Sequence, residues 1–350
     1  MKVEPAGSLV GHLGVPGDKS ISHRAVLIGA LGEGETRVQG FGRSADTEST
    51  IAAVRTLGVE VDEPAEDELV VRGVGLRGLQ EANVYCGNAG TLMRLLAGLN
   101  ADSTTTVIEP VPTRDHTELM LAAAGARVRR RPSSVSIEPA ARLELGEVTV
   151  PGDFSSAAPF LVAATLLSGS ELTIHDVGLN PRRIGLLEVL ERMGARISVL
   201  NRRKVAGEWI GDLEVQSAEL VATDVGADEV PRLVDELPLY ALAAAGARGD
   251  SHLTGAAELR VKETDRIETV TNGLRALGIR IRARNDGFEV RGVPARPTGG
   301  RMSSNGDHRI AVLAAIAGLV SREGVDVGDA DAVAISFPGF FDILDSVSRR

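Results

Sequence analysis

Residues 306–319, GDHRIAVLAAIAGL, read as a helix that opens on charge and then becomes wholly apolar. A surface helix carries an apolar stripe along one side, whereas a helix apolar all round is buried. A buried helix takes its first turn inward with it, so a solvated surface is the poorer reading of His308 and Arg309. The pattern occurs four more times upstream: GDKSISHRAVLIGAL at 17–31, GNAGTLMRLLAGL at 87–99, GDFSSAAPFLVAATL at 152–166 and VDELPLYALAAAGA at 234–247. The first turns fall near Ser20, Asn88, Ser155, Glu236 and His308. Intervals of roughly 65 to 80 residues are too long for a solenoid and suit a compact α/β unit.

Each unit has a second half. Four times a helix runs out into a turn and a strand: VRTLGVEV at 54–61, LAAAGARV at 121–128, LERMGARI at 190–197 and LRALGIRI at 274–281. The glycine in each suits the position after a helix end, where a positive φ is needed. The fifth, FDILDSVSRR, runs to the last residue. The units therefore read as βαβαββ, with the apolar helices inside a shell of sheets and outer helices. Such packing gathers helix N-termini, whose unpaired N–H groups and partial positive charge bind anions.

Composition narrows the function. A length of 350 residues suggests two domains, and 43% hydrophobic residues suffice for real cores. With only 3% aromatics, those cores are built of Val, Leu, Ile and Ala. The net charge of −10 argues against nucleic acid as a partner but permits a local cationic cleft. A single cysteine, Cys86, excludes an intrachain disulfide and a cysteine-based zinc cluster. His12, His116, His175 and His252 show no metal-ligand spacing, so no metal site is expected, and no Walker or dinucleotide fingerprint is present. The start MKVEPAGSLVG lacks a basic-then-apolar leader and no apolar run reaches about 18 residues. The expected location is the cytoplasm, with no membrane partner.

Five clusters carry chemistry, each with a plainer alternative. Lys19, Ser20 and Arg24 span a turn and a half at a helix start and make an anion cradle; a capping Ser with solvated charges is the even-odds alternative. Gly90 and Thr91, followed by Arg94, allow close backbone approach, although a simple cap explains them as well. Lys262, Glu263 and Arg266 lie in RVKETDR, where i,i+4 spacing would put Lys262 and Arg266 on one helix face; a salt-bridged surface helix is the favoured alternative. His308 and Arg309 lead inward. Asp235, before Glu236, is either a helix cap or a general base.

Taken together, VPGDKSISHRA, GNAGT with Arg94 after two intervening residues, ELRVKETDRI, DHRIA and SFPGF stand in the order found in EPSP synthases, and the chain resembles that family over nearly its whole length. The resemblance implies an inside-out α/β assembly of two domains with the active site between them. The expected division is a smaller domain over 13–146 and a larger one of 1–12 plus 147–350, with Val150-Pro151-Gly152-Asp153 as the return crossing. It implies transfer of the enolpyruvyl group of phosphoenolpyruvate to the 5-hydroxyl of shikimate 3-phosphate, without cofactor. The alternative is an impaired or inactive ligand-binding relative. Carboxyvinyl transfer to a UDP-amino sugar and the RNA 3′-phosphate cyclase scaffold match less well at Lys19-Ser20 and at 262–266.

Position by position, the resemblance implies that Lys19 touches both substrates and that Ser20 and Arg24 hold the shikimate carboxylate. Gly90 offers its N–H to phosphoenolpyruvate, and Arg266 and Arg309 clamp that substrate. Asp235 accepts the hydroxyl proton, while Glu263 with Lys19 serves proton transfer at the vinyl carbon. Lys262 and Glu258 sit by the shikimate ring, Glu258 replacing an amide; Thr113 and Arg114 reach the phosphate region. The family has six units and five are recognisable here. The absent stretch, after GNAGTLMRLLAGLNA, would have held an Arg-Pro-Met segment and a Ser-Ser-Gln-like helix start that grips the shikimate phosphate. Ser155 and Ser156 open a similar helix but match a different unit by order, and Ile335 stands where some members have Lys. The family is expected to be monomeric, with self-association through the shortened domain as the alternative.

Overall fold

The computed structural model describes residues 1–80, 104–108, 113–205 and 207–350. The expected helix at 87–99 therefore lies outside the described residues, as do Cys86, Gly90, Thr91 and Arg94. Elsewhere the chain repeats one sequence of elements. The first run is α1 (Lys19–Leu31), Glu33–Gln39, α2 (Ala45–Thr56), Glu60–Ala65 and Glu68–Val74. The second is described from Thr105–Ile108 onward, through α3 (His116–Ala123), Val128–Arg131 and Ser134–Ile137. The third is α4 (Phe154–Leu166), Glu171–Gly178, α5 (Gly185–Arg192), Arg196–Val205 and Glu208–Gln216. The fourth is α6 (Leu237–Gly246), Gly249–Leu253, α7 (Arg266–Ala276), Arg280–Arg284 and Gly287–Gly292. The last described run is α8 (His308–Val320), Val325–Gly328 and α9 (Phe340–Val347).

The first four runs share one strand order: the last strand lies between the other two and pairs antiparallel with both. The four glycines singled out by sequence are what turn helix into strand. Gly58, Gly125, Gly194 and Gly278 have φ of 88°, 96°, 92° and 89°, a region that side chains with a Cβ enter only at a cost.

Apolar residues fall into two clusters. One joins Val3–Leu13 to residues between Phe154 and Val347, and the other runs from Ile21 to Val150. In the first, α4, α6 and α8 pack against one another, and nearly every residue of each is buried. In the second, α1 packs on α2 and α3. The chain passes between clusters at two adjoining points: Asp18 N donates to Pro151 O and Asp153 N to Pro16 O, both at 2.8 Å, beside an antiparallel bridge between Gly17 and Gly152.

The strand Thr105–Ile108 is exposed along its length, with Ile108 75% accessible. Among the described residues, no helix is long and apolar enough to cross a membrane.

Candidate active site

The mutual packing of α4, α6 and α8 brings three helix starts together, and α1 approaches from the other cluster. Among the described residues, each apolar helix except α6 is capped by the aspartate before it: Asp18 accepts from Ile21 N at 2.9 Å, Asp153 from Ser155 N at 2.8 Å and Asp307 from Arg309 N at 2.9 Å. These caps satisfy donors that the helix cannot pair itself. At α6 the residue preceding the helix is Glu236, whose side chain makes no cap bond. Asp235 is not a cap either, which removes one of its two sequence readings.

Asp235 is instead the hub of the site. Arg114 makes an ion pair with it from beyond the strand Thr105–Ile108. Arg266 Nη1 stands 3.7 Å away, Arg309 Nη2 3.8 Å and Arg183 Nη2 3.9 Å. Burial favours the neutral acid, but Arg114, Arg309, Arg183 and Arg266 outweigh it and hold the Asp235 carboxyl well below the usual range. A crevice lined by Lys19, Asp153, Ser155, Ser156, Asp235 and Arg309 opens at this point, with a cavity of only about 20 Å³, room for roughly one water. The groups that converge here are paired with one another.

Beneath the crevice lies a second layer. Arg183 donates to both oxygens of Glu236 at 3.2 Å and also bonds Ser155 Oγ, which donates to Glu236. Arg266 Nε donates to Asp307 Oδ2 at 2.8 Å, and its Nη2 to Glu263 at 2.6 Å. Burial draws the Asp307 carboxyl upward, but its hydrogen bond from Arg266 and that guanidinium's charge leave it below its ordinary value. His308 is pushed down to about 3 by burial and by Arg309, Lys19 and Arg266, so the imidazole is neutral at pH 7.

The remaining candidates are placed as follows. Lys19 lines the crevice while its Nζ rests on Asp46 at 2.9 Å and its N–H points to Asp153 Oδ2 at 3.4 Å. Ser20 Oγ accepts from Arg114 Nη1 at 3.4 Å. Arg24 turns away from the crevice lining, donating to Thr117 Oγ1 and to Ser20 O at 2.7 Å each. Thr113 presents its carbonyl to Arg182 at 3.1 Å.

Lys262 and Arg266 do not share a helix face, contrary to the spacing argument. A 3₁₀ turn, Ala257–Val261, ends at Lys262, and Asp265 caps a new helix that begins at Arg266, accepting from Glu268 N at 3.1 Å. Lys262 pairs with Glu258 instead. Sequence reasoning passed over Arg183 altogether. Its only signal was a charged Arg182-Arg183 pair set in the apolar stretch GLNPRRIGLLEVL at 178–190.

Two packed α/β clusters, with buried helices that direct cations and one acidic hub into a shared crevice, define a protein built to hold small polyanions between two bodies. The comparisons narrow that class. A family profile described as EPSP synthase (3-phosphoshikimate 1-carboxyvinyltransferase) matches residues 3–102 and 95–344. A 3-phosphoshikimate 1-carboxyvinyltransferase of Desulforudis audaxviator is 40% identical, covering 99% of this chain and 99% of its own. One from Alkalilimnicola ehrlichii is also 40% identical, over 97% and 94%. The EPSP synthase structure from Acinetobacter baumannii superposes with a TM-score of 0.91 at 32% identity, covering 99% of this chain and 98% of that one. The chain belongs to the EPSP synthase family.

The same comparisons bear on the shortening. The alignment to the Desulforudis protein runs over 425 positions against a chain of 350 residues, so at least 75 positions have no counterpart here. The profile matches in two segments that overlap at residues 95–102, the point at which the sequence passes from GNAGTLMRLLAGLNA to DSTTTVIEP.

Proposed function

We propose that this chain transfers the enolpyruvyl group of phosphoenolpyruvate to the 5-hydroxyl of shikimate 3-phosphate, releasing phosphate, in the cytoplasm. The observation that carries this reading is Asp235 ringed by Arg114, Arg183, Arg266 and Arg309. In the free protein the arginines serve the carboxylate. Two polyanionic substrates would compete for them through charge-assisted bonds. As the guanidinium groups turn to phosphate and carboxylate, Asp235 loses the charges that depress its proton affinity and becomes a competent base.

In this reading Asp235 takes the proton from the 5-hydroxyl as its oxygen bonds to C2 of phosphoenolpyruvate. Lys19 and Glu263 deliver a proton to the methylene carbon. Phosphate then leaves as the C2–O bond to it breaks and one proton of the resulting methyl group returns to the Lys19–Glu263 pair, which restores the double bond. Arg266 and Arg309 hold phosphoenolpyruvate, assisted by Gly90. Ser20, Arg24, Thr113, Glu258 and Lys262 face the shikimate ring and its groups. Arg24 would have to give up Thr117 to do so. The two bodies are taken as domains divided near residues 13 and 147; the two apolar clusters support that division, although Val148 and Val150 pack with the smaller one.

Binding of shikimate 3-phosphate is the weakened step. The absent stretch would have supplied its phosphate grip, at about 1.5–3 kcal/mol per charge-assisted bond. The test is phosphate release from phosphoenolpyruvate with and without shikimate 3-phosphate, beside calorimetric titration of shikimate 3-phosphate into wild type and Arg24→Ala. Release that requires shikimate 3-phosphate, with a raised KM for it, supports the reading. Absence of release at saturating concentrations of both substrates overturns the activity, and turnover at ordinary shikimate 3-phosphate levels overturns the weakened step.

A further inference from the structure

His12 of the strand Ser8–Gly14 and His175 of the parallel strand Glu171–Gly178 meet nitrogen to nitrogen. His12 Nδ1 lies 3.1 Å from His175 Nε2. The rings are 6° from parallel with centroids 5.2 Å apart; with the facing nitrogens that close, they stand edge to edge rather than face on face. We propose that this pair is a chelating site for one late first-row divalent cation of the Cu²⁺, Ni²⁺ or Zn²⁺ class. Two nitrogens that share a metal at about 2.0–2.1 Å are roughly 3.3 Å apart in a tetrahedral site, and closer in a square one. The observed separation lies in that range, and the rings, whose nitrogens now face each other, must both turn to the same side for the two lone pairs to converge on the ion.

Three further features are built around the pair. The strand carrying His175 has a bulge between Ile174 and Val177, a device that re-aims side chains. Within it Asp176 holds a φ of 55°, a strained choice for a residue with a Cβ. Asp212, itself buried, accepts from the Asp176 N–H at 2.9 Å and from Asn201 Nδ2 at 2.7 Å, and lies 3.4 Å from His175 Nδ1. A carboxylate on the far nitrogen of an imidazole fixes its tautomer and leaves the near nitrogen free to bind metal.

Among the described residues no group of three His, Cys, Asp or Glu side chains could hold a metal, so water completes the coordination and the site is exchangeable. Its position gives it a consequence. His12 stands just before the first passage between the clusters, and the Asp176 carbonyl accepts from Gly152 N in the second at 2.8 Å. An occupied site clips together the two strands from which both passages hang.

The experiment titrates Cu²⁺ alone into the full chain by calorimetry, with the nitrogen ligands read by electron paramagnetic resonance. Wild type is expected to bind one equivalent with two coordinated nitrogens. His12→Ala and His175→Ala should each weaken binding at least about tenfold, and Asp212→Asn by about 10- to 100-fold. Uptake unchanged in both histidine variants, or no uptake by wild type, overturns the proposal. Metal uptake is read without turnover, so the result stands apart from the transferase reading.

Discussion

Arg183 Nη1 donates to both carboxylate oxygens of Glu236 at 3.2 Å, and the two side chains are 5% and 0% exposed. The pair forms the floor beneath the crevice. It allows adjacent acids to differ in role, Glu236 being neutralised from below while Asp235 faces the crevice.

Removing the cation from such a pair strands a charge out of water. Arg183→Met is expected to cost about 3–5 kcal/mol, read as a lowered urea midpoint with unchanged slope. Joint replacement, Arg183→Met with Glu236→Leu, should recover most of the loss. A single variant as stable as wild type would show that Glu236 has other partners of equal strength.

Asp235→Asn keeps the shape of the hub but removes the base. The phosphate-release rate should fall by about 10²–10⁴, with the fold intact by circular dichroism. A fall of less than tenfold would assign the proton to another group.

Two buried histidines link stability to pH. Burial, reinforced by Lys19, pushes His23 down to about 4, and burial with Arg309 pushes His308 down to about 3. Both values lie below the unfolded value of about 6.5, so the unfolded chain binds more protons across that interval. Their contribution is fully present above pH 6.5 and drains away as pH falls towards 4 and 3. Urea midpoints at pH 7, 5.5 and 4.5 should decline, and the decline should be shallower in His23→Gln with His308→Gln. Parallel slopes in wild type and variant would place the effect elsewhere.

The passages between clusters leave no room for a side chain. A Cβ on Gly17 would overlap the Gly40 carbonyl oxygen and lie 2.9 Å from Gly42 N, whereas one on Gly14 meets nothing within 4 Å. Gly17→Ala should therefore destabilise by about 1–3 kcal/mol, and Gly14→Ala should be close to neutral. Equal melting temperatures for the two variants would show that the passage yields freely.

The architecture was legible because it rests on local patterns. A helix apolar on every side is buried wherever it sits, and a glycine after a helix end has one conformational use; α4, α6, α8, Gly58 and Gly278 needed no tertiary information. Lys19, Asp235 and Arg309 could be singled out because each sits at or just before the start of an apolar helix that has to turn inward, whereas Arg266 was singled out by the family motif. Contacts formed across long stretches of chain were not. Arg183 meets Glu236 across 53 residues and His12 meets His175 across 163, and no spacing rule spans such intervals. The misreading of Lys262 with Arg266 had a local cause: Asp265 starts a new helix between them, and a count of residues assumes unbroken helix.

The two ends of the chain are woven into the larger body. Lys2 and Val3 pair with Asp326 and Val325, and Ser348 pairs with Leu9, while the smaller cluster is complete by Val150. During synthesis, then, the smaller body has all its parts when less than half the polypeptide has left the ribosome. The larger one waits longer: Ser8–Gly14 meets its parallel partner only when Glu171–Gly178 emerges, and Lys2–Val3 only when Val325–Gly328 does. The body that lacks family sequence is thus the early-folding one, enclosed between two fixed anchor points. Its loss need not disturb the strand register of the other.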